Sequence, residues 1–110
     1  MPTNVPDKVD GILGVSARVW DPVMTAYGYQ QITDLSSAVG LTVPTGARVA
    51  WIQAEGDNLR WRDDGVSPTT TAGMYLADGD FIWYNGPLED LEFVEISGSG
   101  KLNVSYYGSV

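Results

Sequence analysis

The sequence predicts an all-β protein, an antiparallel β-sandwich of about eight short strands, for which a jelly roll is one natural arrangement. Three observations support this fold class. From Tyr27 onward, apolar and polar residues alternate in short runs. Gly, Pro, Asn and Asp separate these runs at short, regular intervals. No run has a sustained helical spacing, and a length of 110 residues fits one domain.

The chain divides into an N-terminal arm, residues 1–22, and a single sandwich domain, residues 23–110. The arm contains three prolines, and Gly11 and Gly14 weaken any helix there, so we expect it to be extended or irregular. Its apolar side chains would lie either on the body of the same chain or on a neighbouring subunit. The arm residues that we expect at an interface are Val9, Ile12, Leu13 and Val15.

The strands are predicted where β-branched and aromatic residues cluster between turn residues. The strongest covers Arg48–Ala54, and because both of its faces are largely apolar we expect it in the middle of a sheet. Between Phe93 and Val94 the apolar positions change parity, which predicts a bulge. The predicted strands are Tyr29–Thr33, Gly40–Val43, Arg48–Ala54, Leu59–Arg62, Met74–Leu76, Phe81–Tyr84, Leu91–Ile96 and Lys101–Tyr106.

Turn residues account for the connections between these strands. Short turns are predicted at residues 55–58 and 78–80, and Asn85-Gly86-Pro87 ends the sixth strand. A long loop is predicted from Asp63 to Gly73. The segment Ser97–Gly100 is predicted to be the hairpin loop that leads into the last strand.

The composition excludes several kinds of chemistry and several partners. With no Cys and no His, the chain offers neither a thiolate nucleophile nor a histidine-based triad. Six cationic residues against fourteen acidic ones, a net charge of −8, argue against direct binding to nucleic acid or to anionic membranes. No apolar run is long enough to span a membrane, and no secretory signal is expected. The acidic balance favours either solubility or docking onto a basic partner.

Carboxylates are the remaining catalytic candidates, and they occur as neighbouring pairs. The pairs are Asp63 with Asp64, Asp78 with Asp80, and Glu89 with Asp90. All of them fall in predicted turns, where acidic side chains are favoured for local hydrogen bonding. The same loops could supply oxygen ligands to Ca²⁺, but none has the spacing of an EF-hand. We therefore expect no enzyme activity, no cofactor and no metal.

Two further patterns suggest contact surfaces. Arg60 and Arg62 share one strand face, and they would pair either with nearby carboxylates such as Asp63 and Asp64 or with an acidic partner. Trp83 and Tyr84 are adjacent in one strand, so one of the two rings should face outward. The same holds for Tyr106 and Tyr107. The candidate interface residues outside the arm are Arg60, Arg62, Trp83, Tyr84 and Tyr107.

The order of these features resembles a group of small virion structural proteins of tailed bacteriophages. The resemblance covers roughly residues 29–107, and its most specific part is the stretch Arg60–Gly65. The segments that carry it are Gln31–Leu35, Gly40–Pro44, Gly46–Ala50, Ile52–Glu55, Leu59–Gly65, Pro68-Thr69, Gly73-Met74 and Leu102–Tyr107. The N-terminal arm lies outside the resemblance.

This resemblance implies a non-enzymatic protein of the virion, of the kind that decorates and cements a capsid. Its partner would be the major capsid protein or another virion protein, and it would act as a homo-oligomer, a dimer or a trimer. A neck or tail component would suit the same features. Two alternatives come from other classes: a carbohydrate-binding β-sandwich with exposed rings, and a small hydrolase that uses Asp63 or Asp64.

Overall fold

The computed structural model describes residues 23–109, and the predicted arm, residues 1–22, lies outside the described part of the chain. A 3₁₀ turn, Leu88–Asp90, precedes the seventh of eight strands in this part. The strands are β1 Met24–Ile32, β2 Val39–Gly40, β3 Val49–Glu55, β4 Leu59–Arg62, β5 Met74–Leu76, β6 Phe81–Tyr84, β7 Glu92–Glu95 and β8 Lys101–Ser109.

The strands form two four-stranded antiparallel sheets. One sheet has the order β1-β8-β3-β6 and is called the β8 sheet below; the other has the order β2-β7-β4-β5 and is called the β4 sheet. The pairs β1 with β8, β2 with β7, β3 with β6 and β4 with β5 are nested, as in one long hairpin rolled up on itself. This is the arrangement of a jelly roll, so the predicted β-sandwich is confirmed in its jelly-roll form.

The core lies between the sheets and follows directly from the alternation in the sequence. In β8, Leu102, Val104 and Tyr106 are buried, while the residues between them are more accessible. In β3, Ile52 is likewise buried between two exposed neighbours. The largest fully buried side chains are Tyr106, Phe93, Leu35, Ile52, Leu59, Leu88, Leu91, Leu102 and Val104.

Three local predictions were wrong. Strand β2 has only two residues, Val39–Gly40, and two residues further on the backbone N–H of Thr42 donates to the Gln30 side chain of β1 in the other sheet. The pairing of β7 with β4 runs without a register shift, so Phe93 and Val94 are not at a bulge. Phe93 faces the core beside Trp61, whereas Val94 lies on the outer face of the β4 sheet and is buried there. The bulge lies instead in β1, at Tyr27.

The connection Ser97–Gly100 is not a hairpin loop, because β7 and β8 belong to different sheets. The turns at residues 55–58 and 78–80 also pass from one sheet to the other. Within residues 23–109, six of the seven connections do so, and only β4 and β5 form a hairpin, through the loop of residues 63–73. Strand β3 lies between β8 and β6, which confirms its predicted central position.

Candidate binding surface

The outer face of the β8 sheet carries two rows of side chains that run across the strands. The first row, called the aromatic row, is Tyr29 on β1, Ser105 on β8, Trp51 on β3 and Trp83 on β6. The second, called the amide row, is Gln31, Asn103, Gln53 and Phe81 on the same strands. Residues that pair directly across neighbouring strands point to the same face, so each row is continuous.

The rings on this face are exposed and contact one another. Tyr29 is 66%, Phe81 54%, Trp83 50% and Trp51 42% accessible. The ring of Trp51 lies 4.7 Å from that of Phe81 and 5.3 Å from that of Trp83, with the planes at 75° and 80° in the edge-to-face geometry that aromatic pairs prefer. Tyr107 continues the cluster, 5.7 Å from Trp83. So many large accessible rings on one face indicate a contact surface.

Asn103 organises the polar groups beside these rings. Its side-chain oxygen accepts hydrogen bonds from the Tyr29 hydroxyl at 2.7 Å and from the Gln31 amide at 2.9 Å. Its side-chain nitrogen donates to Glu55 at 3.0 Å and to Gln53 at 3.5 Å. One amide in the middle of the sheet therefore holds side chains from β1 and β3 in fixed positions.

A groove of about 260 Å³ lies between the two rows. It arises because Ser105, a small residue, stands between the large rings of Tyr29 and Trp51. The groove is lined by Tyr29, Trp51, Gln53, Phe81, Asn103, Val104 and Ser105, none of which is charged.

The outer face of the β4 sheet is different, because the loop of residues 63–73 folds over it. Pro68 is buried in this loop, and the Ser67 hydroxyl donates to Glu92 of β7 at 2.7 Å. Arg60 lies beneath the loop, where it donates to the Gly73 carbonyl oxygen at 3.1 Å and stands 5.3 Å from the centre of the Tyr75 ring. We call residues 63–73 the covering loop, and we call their contacts with Arg60 and Glu92 the covering loop contacts.

Two ionisable pairs stabilise the start of the loop. Arg62 donates from Nε to Asp64 at 3.0 Å, and this hydrogen bond holds the pKa of the Asp64 carboxyl below its usual value. The Tyr84 hydroxyl donates to Asp63 at 2.6 Å. Burial, together with this hydrogen bond, raises the pKa of the Tyr84 phenol above its ordinary value. Both acids therefore serve local structure here.

Asp57 joins the turns at one end of the sandwich. Its carboxylate is buried and accepts the backbone N–H groups of Asn58, Ser97 and Gly98 at 2.7, 2.7 and 2.8 Å. Burial acts to raise the pKa of this carboxyl, but the backbone hydrogen bonds outweigh burial and hold it below the usual value.

The turn after β5 joins the same group. Asn58 accepts the N–H of Asp78 at 2.9 Å, and Asp78 accepts the N–H of Gly56 at 2.8 Å. Three connections that cross between the sheets, 55–58, 77–80 and 95–100, are thus linked; we call them the turn junction.

The candidate interface residues fall in different places. Trp83 is exposed within the aromatic row, and Tyr107 is half-buried next to it. Tyr84 faces the other way and packs against Trp61 at 6.0 Å. Arg60 and Arg62 are engaged by the covering loop and by Asp64, so the internal pairing of Arg62 with a nearby carboxylate is present. The arm residues Val9, Ile12, Leu13 and Val15 lie outside the described residues.

The centre of the surface, Tyr29, Trp51, Phe81 and Asn103, was not among the residues predicted to lie at an interface. Alternation placed Trp51 and Gln53 on one face of β3, but both faces of that strand contain apolar residues, so burial of Trp51 was the natural expectation. The useful signal was Gln53, since a carboxamide two residues from Trp51 marks the accessible face.

Within residues 23–109, no group of three or more acidic side chains is arranged to hold a metal ion. The same residues contain no helix that is long and apolar enough to cross a membrane. Comparisons of the chain with protein-family models, with curated proteins and with solved structures found no match.

Proposed function

We propose that this chain is a non-enzymatic virion structural protein, a capsid decoration protein that binds the outer surface of an assembled shell and stabilises it. The supporting observation is the structural role of the stretch that carries the resemblance. Arg60, Arg62, Asp64 and Gly73 build the covering loop contacts or the start of the loop. The resemblance therefore involves residues on which this architecture depends, and jelly rolls recur in viral capsid domains.

In this proposal the shell or a neighbouring copy is contacted by the arm. Val9, Ile12, Leu13 and Val15 would supply the apolar side chains of this contact. Oligomerisation as a dimer or trimer would multiply this contact, because linked copies bind a repetitive shell with a high effective concentration.

The proposal is tested on purified mature particles of the phage that encodes the chain. Mass spectrometry should detect the protein, and electron microscopy of gold-labelled particles should place it on the head. Particles stripped of the protein should then lose resistance to heat and osmotic shock. Absence from purified particles would overturn the virion assignment, and labelling of the neck or tail would overturn the decoration role.

The arm is tested by deleting residues 1–15 and measuring binding of the purified protein to stripped particles. We expect weaker binding with an unchanged thermal transition of the sandwich. A full-length variant with V9S, I12S, L13S and V15S should also bind weakly, since it keeps the length and charge of the arm and replaces only these four apolar side chains. Full binding by both variants would exclude the arm as the contact.

A further inference from the structure

We infer that the groove on the outer face of the β8 sheet binds a neutral sugar ring of a glycan, a site that is separate from the proposed shell contact. The groove lies between Tyr29 and Trp51, with Phe81 at one end and Ser105 as the small residue that opens it. Tyr29 and Trp51 stand two strands apart, so their backbones are about 10 Å from each other. The groove between their side chains, about 260 Å³, lies below the range of sites for drug-sized ligands, which suits a single sugar ring.

The walls of the groove have the chemistry that sugars require. The faces of a sugar ring expose C–H groups, which are attracted to the electron-rich face of an aromatic ring. Trp51 and Phe81 meet at 75°, so they form a corner with two aromatic walls instead of a flat apolar patch. A flat patch would suit a protein partner better, because protein interfaces bury broad and continuous areas.

The groove also offers polar groups for sugar hydroxyls. Asn103 uses its own amide to hold Tyr29, Gln31, Gln53 and Glu55 in place. Among the described residues, neither the side-chain nitrogen of Gln53 nor the hydroxyl of Ser105 has a hydrogen-bond partner. A donor amide and a hydroxyl, both pre-positioned beside aromatic walls, match the alternating hydroxyls of a sugar, since binding sites combine apolar walls with a few fixed polar groups.

Charge selects the class of sugar. No lining residue is charged, and the chain as a whole carries a net charge of −8. Nothing in the groove would pair with a uronate or a phosphate, and the field of the protein would repel such groups. The occupant is therefore a neutral pyranose, which has no charge to desolvate.

The test is a titration of the isolated, isotope-labelled protein followed by NMR. The probes are maltose, cellobiose, lactose and diacetylchitobiose, with digalacturonic acid as the anionic comparison. We expect at least one neutral disaccharide to give saturable shifts at residues around the groove, with a dissociation constant of about 1 mM or tighter. The anionic disaccharide should give none. The absence of saturable shifts with all four neutral probes would overturn the inference.

Two variants make the test specific to the groove. Ser105→Leu fills the gap between the two rings and should weaken binding at least about tenfold, a loss of about 1.4 kcal/mol. Ser109→Leu introduces the same side chain on the same face of β8, four residues away, and should leave binding unchanged. Gln53→Ala should also weaken binding, because it removes the free amide. Equal binding by Ser105→Leu and the parent protein would overturn the site.

The same measurement distinguishes a sugar from one other occupant of the groove, a second copy of this chain. If a second copy of this chain covers the groove, the same residues will shift with protein concentration in the absence of sugar, and this would also overturn the inference. The experiment uses no particles. Its failure therefore leaves the virion proposal standing, and absence of the protein from particles would leave a sugar-binding result intact.

Discussion

The two outer faces of this sandwich are built from similar strands, but they differ in how much of each face a loop of the chain covers. The β4 sheet is partly covered by its own loop, in which Pro68 is buried and beneath which Arg60 lies, and Tyr75 at its edge stays 54% accessible. The β8 sheet has no such cover among the described residues, and it presents the rings of Tyr29, Trp51, Phe81 and Trp83. The loop contacts on the β4 sheet stabilise the fold, whereas the β8 sheet leaves apolar area exposed that a partner could contact.

The difference arises from the connections. The only hairpin among the eight strands is β4–β5, and its long loop has enough residues to fold back over the sheet that it joins. The connections at the edges of the β8 sheet lead to the other sheet, and among the described residues no hairpin loop of this sheet lies over the rings. If this comparison is correct, substitutions on the covered face should affect folding, and those on the open face should affect binding.

The largest effect is expected for Gly73→Ala on the covered face. Gly73 has φ +137°, and a Cβ there would lie 3.1 Å from the Trp61 carbonyl oxygen and 3.2 Å from the Pro68 Cβ. We expect the free energy of unfolding, measured in urea at neutral pH, to fall by about 3 kcal/mol.

Gly65→Ala is the matched control, since Gly65 also has positive φ, +82°, but nothing lies within 4 Å of the added Cβ. It should cost only about 1 kcal/mol of conformational strain. Equal costs for the two variants would show that the loop is not seated on the sheet.

The next effect concerns the turn junction, which links the two sheets at one end of the sandwich. Asp57→Asn should lower the free energy of unfolding by about 2 kcal/mol at neutral pH, because an amide NH₂ would face backbone N–H groups that now donate to a carboxylate. The control is Asp80→Asn, which makes the same change in charge at an exposed acidic residue of a turn. It should change the free energy of unfolding very little.

The contribution of Asp57 also has a predicted pH dependence. Its folded pKa is lowered, so its stabilisation is fully present above the unfolded value of about 3.9 and is lost as the pH falls through the folded pKa. Urea denaturation as a function of pH should therefore show the parent protein and Asp57→Asn converging below about pH 4. A constant difference down to low pH would contradict the role of the ionised carboxylate.

A smaller effect is expected for Tyr84→Phe at the start of the covering loop. The variant keeps the ring packed on Trp61 and removes the hydroxyl that donates to Asp63. We expect the free energy of unfolding to fall by about 1 kcal/mol. The variant loses one hydrogen bond to a charged group, and water can then solvate the Asp63 carboxylate. No loss would mean that Asp63 does not anchor the loop to β6.

The smallest effect on folding is expected on the open face. Phe81→Thr keeps a residue that favours β-strands, and it removes a ring that is already more than half accessible. The free energy of unfolding should change by less than about 1 kcal/mol, with an unaltered circular dichroism spectrum. A loss as large as that of Gly73→Ala would show that the open face is structural, and the comparison of the two faces would fail.

Local chemistry explains why most strands could be predicted. Strands β5 and β6 were predicted with their observed bounds because turn residues flank them closely. The ion pair of Arg62 with Asp64 could also be predicted, since the two residues are close in sequence. The burial of Val94 on the outer face was not predictable from neighbouring residues, because Val94 pairs with Arg60 on β4, which is far away in the sequence.

The aromatic surface could be predicted only in part. Adjacent Trp83 and Tyr84 had to point to opposite faces, and this holds. Which ring faces outward, and that Trp51, Phe81 and Tyr29 meet it there, depends on strand pairs that are separated by 20 or more residues. Such pairs leave no signature in a local window of sequence.

The sequence by itself therefore determined the fold class, the position of most strands and the absence of Cys- and His-based chemistry, because alternation, turn residues and composition are local properties. The tertiary structure alone decided which sheet each strand joins, which face is covered and where the groove opens. Turn residues reverse the direction of the chain but do not determine which sheet the next strand joins. That is determined by the packing of the two sheets around one core.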